Sequence, residues 1–170
     1  MVKAAALFKN NDGLFSDGIN DVHGSVVFES CVQNGRKGAA VTVHLEGFKR
    51  NSRHPMHVHT YGADLGERVG GPSTCVLGGP YNPFGEAHGS AKLHGRCRHA
   101  GDLINNIVAD NNGCVRVRFF DDLLGDIEDL FGRSIVIHGG VDDEGMGGDL
   151  ESLKTGNAGC MMTFATIARV

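Results

Sequence analysis

The chain lacks most of the features that place a protein in a specialised class. It has no tryptophan and few aromatic residues of any kind. No apolar stretch is long enough to span a bilayer, so a membrane partner is not expected. The opening residues, MVKAAALFKN, are interrupted by charge too soon for a signal peptide, and a cytoplasmic location is expected. Positive charge is not in excess. With 16 Lys and Arg against 20 Asp and Glu, the net charge of -4 argues against a nucleic-acid binder of the basic-patch type. No Cys-x-x-Cys pair occurs, which argues against a thiolate zinc site. The five cysteines, an odd number and widely scattered, fit a mainly reduced set of thiols. There is no internal repeat and no linker, and 170 residues suffice for a single domain, 1–170, with a core that needs no staples.

What the chain has in plenty is glycine, 26 residues in clusters such as Gly70-Gly71, Gly78-Gly79 and Gly147-Gly148. Clusters of this kind between short apolar runs point to strands joined by tightly turned loops. Strands are expected over residues 22–29 (VHGSVVFE), 40–47 (AVTVHLEG), 114–120 (CVRVRFF), 134–138 (SIVIH) and 161–170 (MMTFATIARV). Asn11-Asp12-Gly13 and Asn111-Asn112-Gly113 carry hairpin-turn chemistry. Only residues 121–131 (DDLLGDIEDLF) have the spacing of a helical turn, weakened by Gly125. Many short strands with glycine-rich turns imply an antiparallel sandwich or barrel. Two long stretches, 60–105 and 139–159, do not read as strands, and loops of that length in a compact domain are functional or disordered. Histidines and an aspartate in the first favour a loop ordered by metal.

The most informative residues are His57 and His59 in the run PMHVHTYG. On an extended segment, side chains two apart point to the same face, so both imidazoles can converge on one metal. Imidazole suits copper and zinc, whereas magnesium and calcium prefer oxygen. His138 closes the apolar run 135–137, where it can reach across from a strand end to the first pair. Three imidazoles from two strands would leave coordination positions open, which suits catalysis. A second group, His88, His99 and Asp102 on the first long loop, has the donors for zinc. Each also has a plainer reading: His138 as a strand cap, His88 as a solvated loop residue, Asp102 as a side-chain turn. His23, His44 and His54 have no motif partner and read as surface or locally hydrogen-bonded residues. His94 is a spare within the loop.

The chain resembles the copper/zinc superoxide dismutases from about residue 22 to the C-terminus. The resemblance is carried by His57-Val58-His59 with Tyr61-Gly62, Gly79-Pro80 leading to Asn82-Pro83, and His88-Gly89. It continues in 98–103 (RHAGDL), 108–110 (VAD), 132–138 (GRSIVIH), Asp142-Asp143 and 154–159 (KTGNAG). It implies an all-β, Greek-key β-sandwich barrel of about eight antiparallel strands with two long functional loops. It also implies copper on His57, His59 and His138, and zinc on His88, His99 and Asp102. Asp142 matches a carboxylate that orients ligands of both metals through their far ring nitrogens.

Three departures from the family pattern stand out. The histidine that joins the two metals is missing: without a gap Pro80 takes its place, and with a one-residue deletion Tyr81 does. Proline offers no donor, and a tyrosine phenolate must lose a proton with a reference pKa near 10. Met161 stands where the family carries an arginine that draws superoxide to copper, and a field of that kind can change association rates by tens-fold or more. Lys154 on the same loop could supply weaker attraction. Finally, Cys75 matches a disulfide cysteine whose partner position is Phe164. Cys160 is the nearest substitute, its strand position makes that bridge doubtful, and five free thiols are the expectation.

Two functions follow. One is dismutation of superoxide to dioxygen and hydrogen peroxide, with impaired or altered turnover. The alternative is a non-catalytic zinc- or copper-binding homologue that engages partners or sequesters metal. The family is often dimeric, and residues 4–7 with the C-terminal strand could supply a homodimer contact. Residues 10–20 have no family counterpart and suggest a looser hairpin.

Overall fold

The computed structural model describes residues 2–9, 22–62 and 77–170. Eight strands follow one another along the chain: β1 (Lys3–Phe8), β2 (His23–Gln33), β3 (Arg36–Glu46), β4 (Arg53–His59), β5 (Asn106–Val108), β6 (Val115–Asp121), β7 (Ser134–His138) and β8 (Met161–Arg169). All pair antiparallel in the order β5-β4-β7-β8-β1-β2-β3-β6. Neighbours β3 with β6 and β4 with β7 are distant in sequence, the crossovers of a Greek key. The helices that lie wholly within the described residues are short: α1 (Ala91–His94), α2 (Ser152–Thr155) and 3-10 turns at Ala100–Asp102 and Ile127–Leu130. None of them is long and apolar enough to cross a membrane.

Alternation explains the strands. In β3, Ala39, Val41, Val43 and Leu45 are buried, while the residues between them are half-buried or exposed. Phe28 and Val26 of β2 and Met56 and Val58 of β4 join the same core with Leu103, Ile107, Leu130, Ile135 and Ile137. These apolar side chains, Phe28 among them, fill the interior without a tryptophan.

The expected strands are present with shifted ends. The hairpin between β2 and β3 tightens on Asn34 and Gly35, both at positive φ, so each strand runs longer than its alternating segment suggests. β1 and β5 were not evident from pattern alone, since β1 is largely alanine and β5 only three residues. The spacing in 121–131 yields the 3-10 turn. Residues 10–20 and the turn at Asn11-Asp12-Gly13 lie outside the described residues.

Candidate metal centre

His57 and His59 lie on β4, and the alternation that sends Met56 and Val58 wholly into the core sends both imidazoles to the opposite face. β4 pairs with β7, His57 opposite Val136, and β7 ends at His138. The three histidines are buried, and each offers one ring nitrogen within 4.8 Å of the other two.

Hydrogen bonds decide which nitrogen faces that point. His59 Nδ1 donates to the Gly78 carbonyl at 2.7 Å, and His138 Nδ1 donates to the Gly159 carbonyl at 3.1 Å. A carbonyl only accepts, so in both rings the proton sits on Nδ1 and the lone pair on Nε2. Those two Nε2 atoms lie 3.3 Å apart. Burial, aided by the nearby His57, pulls His59 down to about 4 and His138 to about 3, with His59 adding to the effect on His138. Neither ring is protonated near neutrality. Two lone pairs facing each other at this distance repel, and a cation between them turns the repulsion into ligation. His57 Nε2 donates to Asp142 Oδ2 at 2.7 Å, which leaves Nδ1 as its free donor position. The donor set fits a transition metal that prefers imidazole.

The second group forms behind the first. The 3-10 turn at Ala100–Asp102 places Asp102 one turn from His99. Asp102 Oδ1 meets His88 Nδ1 at 2.9 Å and His99 Nδ1 at 3.1 Å, while Oδ2 accepts the backbone N–H groups of Gly89 and His99. Burial alone would lower His88, but hydrogen bonds and charge from Asp102 and Asp142 overcome it and raise the ring to about 9. Burial would likewise raise Asp102, yet its two histidine partners bring it down to about 2. Two imidazole nitrogens converging on one buried carboxylate oxygen match a zinc donor set. His57 also falls within metal-ligand range of His88 and Asp102. The ligand atoms that lie mutually within 4.8 Å there belong to His57, His88 and Asp102, and His99 meets them through Asp102 Oδ1.

Asp142 links the two groups, with Oδ2 on His57 and Oδ1 on His88 Nε2 at 2.8 Å. Hydrogen bonds from both histidines, with their charge, outweigh burial and hold its carboxyl well below the usual range. Sequence reasoning missed what holds Asp142. Asn105, at φ +58°, donates to Asp142 Oδ2 at 3.0 Å and to the Gly89 carbonyl at 3.0 Å. Asn106 brackets the Asp142 backbone with two further bonds. Gly156 is in the left-handed region, and a Cβ there would strike Asp142 Oδ1 and His88 Nε2. The paired asparagines after Leu103-Ile104 were the available signal. Arg98, beside His99, makes a buried 2.7 Å bond to Asp121 at the end of β6 and ties the loop to the barrel.

Other sequence readings find their place. His54 is hydrogen-bonded to the His138 carbonyl and to Ser52, and His94 accepts from the Ser90 N–H, so both are structural. His23 and His44 lie outward around Glu46. Of the two residues competing for the joining position, Pro80 pairs with His59 across an isolated bridge, next to the Gly78 carbonyl that holds that ring. The Tyr81 ring instead lies under Arg133, whose guanidinium carbon is 3.8 Å from the ring centroid. Met161 pairs with His138 but is only 6 % exposed, packed with Leu77, Val136 and Phe164. Cys75 lies outside the described residues, and the four described cysteines, Cys160 included, are free.

Comparison with known proteins agrees with this geometry. The family profile "Copper/zinc superoxide dismutase (SODC)" matches residues 22–167. A "Superoxide dismutase [Cu-Zn]" of Paramecium bursaria Chlorella virus 1 is 43 % identical over 129 residues, 75 % of this chain and 64 % of that protein. Those of Podospora anserina and Saccharomyces cerevisiae are 39 % and 36 % identical over 162 residues, each match covering 94 % of this chain and 92 % of the relative. A profile that covers most of the chain and relatives matched over nearly their whole length, on a barrel with two linked histidine groups, establish that the chain belongs to the copper/zinc superoxide dismutase family.

Proposed function

We propose that this chain dismutes superoxide: two superoxide anions and two protons give one dioxygen and one hydrogen peroxide. The relatives' names point to that reaction. The observation that carries it here is the pair of Nε2 lone pairs of His59 and His138, 3.3 Å apart and fixed by two carbonyls. In this reading His57 Nδ1, His59 Nε2 and His138 Nε2 hold copper, while His88, His99 and Asp102 hold zinc. Copper bound there supplies one-electron chemistry, alternating between Cu(II) and Cu(I).

The remaining steps belong to the chain itself. Asp142 keeps both Nε2 protons of His57 and His88 in place, so those rings present Nδ1 inward. Pro80 can neither bind a metal nor hold a proton, so both protons reach peroxide from water. Met161 offers no positive charge, which leaves Lys154, exposed on α2, as the nearest family-like cation on that loop. Turnover is accordingly slower than in relatives that keep the joining histidine and the arginine. A cytoplasmic location is supported by the free thiols of Cys31, Cys97, Cys114 and Cys160. A homodimer would use the outer face of β1 and the end of the chain after β8, where Leu7 and Val170 are exposed, and neither nucleic acid nor membrane is a partner.

The test is to load the purified protein with copper and zinc, measure stoichiometry, and assay superoxide removal against salt concentration. Removal well above an equal concentration of free copper, falling as salt rises, is expected. Zinc bound without removal above that background would leave a metal-binding homologue that does not catalyse.

A further inference from the structure

Residues 77–80 lie against the end of β4, which carries His57 and His59, and the residue of that segment that meets the barrel is apolar. Leu77 is 1 % exposed and packs with Val136 of β7 and with Met161 and Phe164 of β8. Its own carbonyl accepts the Tyr61 N–H at 2.9 Å, and the Gly79 carbonyl accepts the Thr60 N–H at 3.0 Å. Between those two lies Gly78, at φ +68°, with its absent Cβ facing the Tyr61 ring. The Gly78 carbonyl is the group that holds His59 Nδ1 and turns Nε2 inward.

We infer that Leu77, Val136, Met161 and Phe164 form an apolar clasp that positions the Gly78 carbonyl on His59, with Leu77 and Met161 as positioning residues. The clasp makes the orientation of that ring independent of the thiol redox state. Val136 and Phe164 are register partners on adjacent strands, and Met161 partners His138, so the clasp is rooted in β7, which carries His138, and in β8 beside it. Among the described residues, no cysteine contributes to it. The inference rests on the reading of His59 as a metal ligand.

The readout is exchange of the His59 Nδ1 proton with solvent, followed by NMR on histidine-labelled protein. It is taken on zinc-loaded protein and again with Cu(I) added, so a chain that takes up no copper fails the proposed activity while still reporting on the clasp. In Leu77→Ala, exchange at His59 should rise tenfold or more, while the His138 Nδ1 proton on Gly159 stays protected. Leu77→Val should give a smaller rise in the same direction, and Met161→Leu should retain wild-type protection where Met161→Ala does not. A phosphine reductant should leave the wild type unchanged. Unchanged exchange in Leu77→Ala and Leu77→Val, an equal rise at both histidines, or opening by reductant alone would each overturn the inference.

Discussion

Single residues decide what this centre can do. The backbone puts Pro80, not Tyr81, beside His59, so the two positions respond differently to the same substitution. Pro80→His should place an imidazole between the two groups and raise dismutase activity several-fold, measured per bound copper. Tyr81→His should bring no such gain. It removes a ring that is packed against the core and stacked under Arg133, and should cost about 1–3 kcal/mol in denaturant unfolding. Met161→Arg is less simple than supplying a missing charge. The side chain at 161 is buried among apolar neighbours, so a guanidinium there loses its hydration or prises Leu77 away, and a drop in melting temperature is expected.

At the scale of elements, the centre depends on how two loops are tied to the barrel. Arg98 donates to Asp121 and to the Gly95 and His99 carbonyls, so it carries one histidine of the second group to the end of β6. Burial raises the Asp121 carboxyl in spite of the charge of Arg98, so the pair adds little net stability. Breaking it is another matter. Arg98→Met should cost about 3–5 kcal/mol by leaving a buried carboxylate unpaired, and Arg98→Met with Asp121→Leu should cost much less. Denaturant unfolding of the wild type and these two variants separates the outcomes. Asp122, next along, behaves in the opposite way: hydrogen bonds and charge from Arg96 and Arg36 outweigh its burial and hold it below the usual range. A depressed carboxyl contributes stability above its unfolded pKa of about 4 and loses it as pH falls through the folded value. Asp122→Asn should therefore flatten the acid limb of the stability profile below about pH 4, by at most about 1 kcal/mol for an exposed cluster.

For the whole molecule, the sequence carried the strands with clear alternation and the two-residue spacing of His57 and His59, because both are local patterns. It carried less where structure depends on what meets in space. β1 and β5 are too short or too alanine-rich to announce themselves, and gain their identity from the strands beside them. The choice between Pro80 and Tyr81 turned on the placement of a gap, whereas the bridge that sets Pro80 beside His59 is a contact in space. Leu77, Val136, Met161 and Phe164 come from three separate segments, so no spacing rule unites them. Asn105 and Gly156 matter through their contacts with Asp142, a residue 37 positions away from the first.

The central claim is that two linked donor groups hold two different metals. Diffraction from crystals of the copper- and zinc-loaded protein, recorded at the absorption edges of both metals, tests it most directly. The account predicts a copper signal among His57 Nδ1, His59 Nε2 and His138 Nε2, and a separate zinc signal among His88 Nδ1, His99 Nδ1 and Asp102 Oδ1. Asp142 should remain bonded to both rings, and Pro80 should touch neither metal. A single metal bound by His57, His88 and Asp102, or copper found away from His59 and His138, would contradict it.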